Sequence, residues 1–270
     1  MAKLLQTLIL LLFCIAFFLM LANKATSQKT SFTFTSFVAN STDLTYQGDA
    51  HVPDGARSLR LTKTDANGLP RPSSIGRVLY SKPFKLWENS IVVSFNTTIK
   101  FTITPTKGPA ADGLAFFMAP VGTTIPPGSY GGNLGLFDPS GDSPAASTFF
   151  AVEFDLYSNG WDPSHDLPHI GIDISSIKSS NFVKFGDSCI GKEAQLHIQY
   201  DGINFIDVTL KCDKETRLLE YEYDLGEILP SQVQVGIASS TGDLVALHDI
   251  DYWSFRSAEH AGGSKDRKTA

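Results

Sequence analysis

Residues 93–103, VSFNTTIKFTI, alternate without a slip: Val93, Phe95, Thr97, Ile99, Phe101 and Ile103 share one face, and Ser94, Asn96, Thr98, Lys100 and Thr102 share the other. A period of two separates apolar from polar side chains only in an extended chain with one face against a core. The same alternation returns in Ala194/Leu196/Ile198/Tyr200, Ile206/Val208/Leu210, Leu219/Tyr221/Tyr223/Leu225 and Val233/Val235/Ile237. Turn formers at Asp54-Gly55, Asn67-Gly68, Asp201-Gly202 and Thr241-Gly242 punctuate these runs, and no stretch carries a sustained helical period. The pattern predicts an all-β protein, an antiparallel β-sandwich. Without a linker or an internal repeat, a single domain over 28–257 is the economical division. The tail from 258 to 270, AEHAGGSKDRKTA, lacks apolar periodicity and is expected to be disordered or trimmed.

The chain opens differently. Lys3 precedes fifteen apolar residues, Leu8–Ala22, and Ala25-Thr26-Ser27 then offers small residues for cleavage. Residues 1–27 therefore read as a secretory signal peptide, with a membrane anchor as the alternative. Its removal leaves 20 basic against 28 acidic residues in the mature chain. That balance, with no basic cluster, argues against nucleic acid and against an anionic membrane surface as partners.

Cys14 leaves with the signal, so Cys189 and Cys212 remain in an oxidising compartment. They bracket two alternating runs around Asp201-Gly202, and a hairpin there would bring them within a residue or two of opposite register. A disulfide and two free buried thiols both stay open, because the register decides between them. Asn40-Ser41-Thr42 and Asn96-Thr97-Thr98 are glycosylation sequons, meaningful because the chain reads as secreted.

One stretch resists reading as ordinary β structure. Residues 153–169, EFDLYSNGWDPSHDLPH, set Glu153 and Asp155 on one face of a strand whose other face is Val152, Phe154 and Leu156. Two carboxylates entering a core repel each other and lose their hydration. A bound cation removes both costs. The turn SNGWDP can fold Asn159 and Asp162 back beside Asp155, a set of hard oxygens suited to Ca²⁺. His169 adds a nitrogen, which points to a transition ion such as Mn²⁺ beside the calcium. A solvated acidic turn is the competing reading. His165 and His169 have the spacing of a helical zinc pair, but Pro163 and Pro168 oppose a helix there.

These residues resemble the legume lectins. Beyond AVEFDLYSN and HIGIDISSI, the likeness includes DLTYQGDA, LRLTKTDANGLP, GRVLYSKPFKLW, ADGLAFFMAP, GGNLGLF and HDIDYWSF, in order and over nearly the whole mature chain. The resemblance implies a concanavalin-like jelly roll with Mn²⁺ on Glu153, Asp155, Asp162 and His169. It places Ca²⁺ on Asp155, Asp162, Asn159 and the backbone oxygen of Tyr157, with Ser179 bonding a metal-bound water. It further implies a sugar site in which Asp112, preceded by a cis peptide from Ala111, accepts hydrogen bonds from hydroxyls. Gly132 donates its amide where a side chain would block the ring. Asn159 donates from its side-chain amide, Tyr157 stacks on the sugar, and Asp243 and Leu244 offer loop amides. Trp253 and Phe255 are read as core.

Only five residues lie between Gly242 and His248, a short loop that looks like the mannose/glucose-binding members of the family. The longer gap between Asp162 and His169 leaves room for His165 or Asp166 to protrude near the site. The partners implied are mono- and oligosaccharides and glycoproteins, with assembly as a homodimer or homotetramer and a secreted, extracellular or vacuolar location. Two other functions compete. Glucanase-type glycoside hydrolases share the sandwich but need a second free carboxylate, and Glu153-Phe154-Asp155 lacks the second glutamate of their strand motif. A defence or storage relative without sugar binding would be expected to lack part of the metal loop.

Overall fold

The computed structural model describes residues 29–88, 91–106, 108–140, 148–162 and 168–259. Among these, sixteen strands form two antiparallel sheets. The back sheet contains β1 (Ser31–Phe34), β3 (Leu59–Arg60), β6 (Trp87–Glu88), β7 (Ile91–Pro105), β12 (Glu193–Tyr200), β13 (Phe205–Cys212), β14 (Glu215–Glu222) and β16 (Ala246–Glu259). The front sheet contains β2 (Leu44–Gly48), β4 (Ile75–Tyr80), β5 (Phe84–Lys85), β8 (Gly113–Pro120), β9 (Phe150–Asp155), β10 (His169–Ile174), β11 (Asn181–Lys184) and β15 (Gln232–Ser240). Their main orders are β1-β16-β7-β12-β13-β14 and β11-β10-β9-β8-β15-β4-β2. The helices found among the described residues are three-residue 3-10 turns. The expected jelly-roll sandwich is thus the observed fold.

The alternating faces land where the period of two sends them. On β7, Val93, Phe95, Thr97, Ile99, Phe101 and Ile103 are buried while Asn96 is exposed. Together with Leu196, Ile198, Val208, Val235 and Ile237 they fill the space between the sheets. Trp253 and Phe255 are core, stacked among Phe32, Phe84 and Phe95, and the Trp253 indole N–H donates to Thr97 Oγ1 at 3.1 Å.

A second, smaller cluster lies on the other face of the front sheet, where Ala115, Ala151 and Ala238 leave room for Leu134 and Leu136 of a covering loop. Arg77 ties the loops over this face to the sheet. Its guanidinium lies 4.4 Å from the Phe117 ring centre and donates to the Thr124 and Gly135 carbonyls and to Thr123 Oγ1. Burial pulls its pKa down to about 9.

Three sequence expectations need correction or restriction. The alternation Leu219/Tyr221/Tyr223/Leu225 does not run as one strand: β14 ends at Glu222, and Asp224 caps a 3-10 turn by accepting from the Gly226 amide at 3.0 Å. The β12–β13 hairpin pairs Ala194, not Cys189, with Cys212, because its loop is longer than the Asp201-Gly202 turn. Asp201 holds that loop, accepting from the amides of Ile203, Asn204 and Phe205. Cys189 sits in the 3-10 turn Asp187–Cys189 ahead of β12, and reaches Cys212 as a disulfide with a Cα separation of 5.2 Å. The last strand continues to Glu259, past the boundary placed at 257. The signal segment 1–27 and residues 260–270 lie outside the described residues. Among the described residues no helix is long and apolar enough to cross a membrane.

Candidate functional site

The front sheet assembles the site by register. Ser240 on β15 pairs with Gly113 on β8, Gly113 pairs with Asp155 on β9, and Asp155 pairs with His169 on β10. One transverse row, with strands about 4.8 Å apart, thus brings together four chain segments distant in sequence. Asp112 precedes the row on β8, after a cis peptide from Ala111, as the resemblance implied. The Asp112 amide donates to the Ser240 carbonyl at 3.2 Å, and its own carbonyl accepts from the Leu156 amide at 2.8 Å.

Glu153, Asp155 and His169 are all buried, and each offers a ligand atom within 4.8 Å of the others. His169 Nε2 stands 3.1 Å from Glu153 Oε1, which also accepts from the Ser179 hydroxyl at 2.5 Å. Gly171 lies opposite Glu153, and a Cβ there would fall 2.2 Å from Ser179 Oγ and 2.5 Å from Glu153 Oε1. Asp162, also buried, accepts from the Asn159 amide, while its own amide donates to the Asn159 carbonyl at 3.2 Å. The Tyr157 amide donates to Asp155 Oδ1 at 2.7 Å. His165 and Asp166 lie outside the described residues.

The electrostatics of this cluster are one-sided. Burial pushes Asp155 well above the usual carboxylate range, Glu153 and Asp162 push it further, and the Tyr157 amide opposes them. Asp173, next on the same face of β10 after His169 and Gly171, is buried and likewise raised, by burial and then by Glu153. The charges acting on these two carboxyls are all other carboxylates. Sequence reasoning missed Asp173, although its place two residues after Gly171 in HIGIDI was a readable signal.

Around this cluster, three side-chain oxygens of the described residues are buried without a hydrogen-bond partner: Asn159 Oδ1, Asp112 Oδ2 and Asp173 Oδ1. Leaving such atoms unsatisfied costs about 1–3 kcal/mol each. A cluster of mutually repelling carboxylates, one imidazole and an orphaned amide oxygen is the donor set that a pair of divalent cations fits. Glu153, Asp155, Asp162 and His169 would hold a transition ion. Asp155, Asp162, Asn159 and the Tyr157 carbonyl would hold calcium. Bound there, the ions would supply positive charge to the carboxylates and fix the loop that carries Asn159.

Beside this cluster opens a pocket of about 270 Å³. Asp112, Gly132, Tyr157, Asn159, Asp243 and Leu244, drawn from four separate segments, all line it. Burial raises the Asp112 carboxyl to about 6, the Gly242 amide opposes this, and Asp243 adds to it. Besides the expected reason, the fold itself leaves no room for a side chain at Gly132. A Cβ at this position would lie 2.1 Å from Asn159 Oδ1 and 3.1 Å from Trp161 Cζ2, so it would strike the neighbouring loop. Sequence reasoning also missed the two further aromatic wall residues, Tyr130 and Trp161, which are 49% and 39% exposed beside Tyr157 at 42%. Their loops meet only in the folded chain.

The chain as a whole is similar to known proteins in sequence and in fold. The family described as the legume lectin domain matches residues 29–270. Agglutinin-2 of Cladrastis kentukea is 44% identical over 258 residues, covering 92% of this chain and 88% of that protein. The mannose/glucose-specific lectin of Centrolobium tomentosum is 38% identical over 240 residues, covering 86% of this chain and 96% of its own. Among solved structures, basic winged bean lectin with Tn-antigen superposes with a TM-score of 0.78 at 36% identity, covering 87% of this chain and 100% of that one.

Proposed function

Since the chain belongs to the legume lectin family, we propose that it is a secreted lectin of the mannose/glucose class, dependent on calcium and a transition ion, that catalyses no reaction. The observation that carries this reading is the shared residue Asn159, whose backbone is hydrogen-bonded to Asp162 of the acidic cluster while its side chain, with an orphaned Oδ1, lines the pocket with Asp112 and Gly132. Metal on one side of Asn159 would set the donor that a sugar meets on the other. The Asp112 carboxylate would accept from two hydroxyls, the Gly132 and loop amides would donate, and the half-exposed Tyr157 ring would cover an apolar sugar face.

The short stretch after Gly242, only residues 243–245 before β16 begins, supports mannose and glucose over galactose, since loop length decides which hydroxyl orientation fits. A shallow pocket of this kind should bind a monosaccharide with a Kd of about 0.1–1 mM, corresponding to about −5.5 to −4 kcal/mol. Binding to glycoproteins then gains from assembly as a homodimer or homotetramer, which multiplies sites. A glycan array with and without metal tests specificity and metal dependence together. Preferential binding to galactosides would overturn the mannose assignment.

Hydrolysis needs its own test, because the pocket does hold two carboxylates outside the metal set, Asp112 and Asp243. Reducing-sugar release from glucans should stay at the background of an Asp112→Asn variant.

A further inference from the structure

A second groove lies away from the pocket that Asp112 and Asn159 line. It has a volume of about 570 Å³ on the outer face of the back sheet. Two transverse rows of side chains form it. In the first, Arg256 on β16, Asn96 on β7, Gln199 on β12 and Asp207 on β13 stand directly opposite one another. The second lies one pleat repeat away, where Ser94 faces Ala258 and the groove ends at Phe205. Asn96 is exposed, Phe205 is 36% exposed, and the loop before Phe205 is pinned by the three amides donated to Asp201.

Asn96 is the acceptor position of the sequon Asn96-Thr97-Thr98, and its two followers are locked into the folded sheet. Thr97 is buried and donates to the Ser254 carbonyl at 2.7 Å, while Thr98 Oγ1 lies 2.7 Å from His197 Nδ1. Modification here would have to precede sheet formation, and a folded protein so modified would have to accommodate a saccharide in the middle of a flat face.

We propose that this groove is the seat of an N-linked glycan carried by Asn96, its first sugars lying along the face from Asn96 towards Phe205. Two strand spacings and one pleat repeat place Phe205 about 12 Å from Asn96. Gln199, Asp207 and Arg256 supply the donors and acceptors that hydroxyl and N-acetyl groups need, and Phe205 supplies an apolar surface for one ring face. A bulky, hydrated group in this position also closes the centre of the face to any flat sheet-to-sheet contact.

The test uses the full chain secreted from eukaryotic cells. Glycopeptide mapping should find Asn96 occupied; an unmodified Asn96 peptide overturns the proposal. Enzymatic deglycosylation of the native protein then reads the seating. Phe205→Ser should speed release from Asn96 about tenfold, the factor given by about 1.4 kcal/mol of lost contact, and leave unchanged the release rate measured after denaturation. Asp207→Ala, on the same wall, provides a second variant should the first fail to fold. Native release at the wild-type rate in a folded variant refutes the seat. Neither readout depends on sugar binding at the pocket.

Discussion

Replacing Gly132 by alanine separates the role assigned to its missing side chain from the general need for a glycine-rich loop. The added Cβ would stand 2.1 Å from Asn159 Oδ1 and 2.8 Å from its Cγ. Ordinary contact begins at 3.4 Å, so the Asn159 side chain must retreat by about 1 Å, a displacement large enough to break hydrogen-bond geometry. Two sugar contacts suffer together, the Asn159 amide and the Gly132 N–H. At about 0.5–1.5 kcal/mol each, their loss weakens binding by roughly 5- to 150-fold. Titration calorimetry with methyl α-D-mannoside, or with the best sugar from the array, should then fail to detect binding while the thermal melt stays close to wild type. Gly160→Ala is the control: it sits next to Asn159, and an added Cβ there meets nothing within 4 Å. If Gly132→Ala binds with the wild-type Kd, or Gly160→Ala loses as much, the steric argument is wrong.

Gly171→Ala should act on the metal side, because its Cβ would displace Glu153 and Ser179; a loss of about 10- to 100-fold in transition-ion affinity, read by metal competition, is expected. The pH dependence should reverse with metal content. Asp112 has its folded pKa raised to about 6 from 3.8, so the metal-free fold holds the proton more tightly than the unfolded chain. Its stability is greatest below that window and falls as pH rises through it, by on the order of 3 kcal/mol for Asp112 alone. With calcium and manganese bound, stability should instead rise over the same range, since ligands must be deprotonated; calorimetric melts at pH 4.5 and 7 that ran parallel in both forms would contradict this. Cys212→Ser should lower stability by about 3 kcal/mol through the loss of a loop-closing bond, and alkylation of the denatured, unreduced wild type should label neither cysteine.

The parts of this molecule that were legible in advance are those set by local period and local chemistry. The faces of β7, β12, β13 and β15 followed from alternation alone, and Glu153, Asp155 and His169 stood out because charge in an apolar strand has to be explained. Asp173 obeyed the same period as His169 and Gly171 and was readable, yet a lone aspartate in HIGIDI drew no attention without the partner strand. Tyr130 and Trp161 could not be found this way, because the two loops meet only through long-range pairing of the front sheet. The disulfide depended on a hairpin register that a longer, Asp201-capped loop had shifted. Gly132 was identified from the resemblance, but its contact with Asn159, a side chain of another loop, was not.

The central claim is that divalent ions fix the pocket through Asn159. Sugar binding by one preparation, measured by calorimetry as isolated, after chelation at neutral pH, and after readdition of calcium and manganese, tests it most directly. The account predicts binding weakened at least about tenfold on chelation, a change of about 1.4 kcal/mol, and restored on reloading. A chelated protein that remains folded, carries no divalent metal by elemental analysis and binds its sugar with unchanged Kd would contradict it.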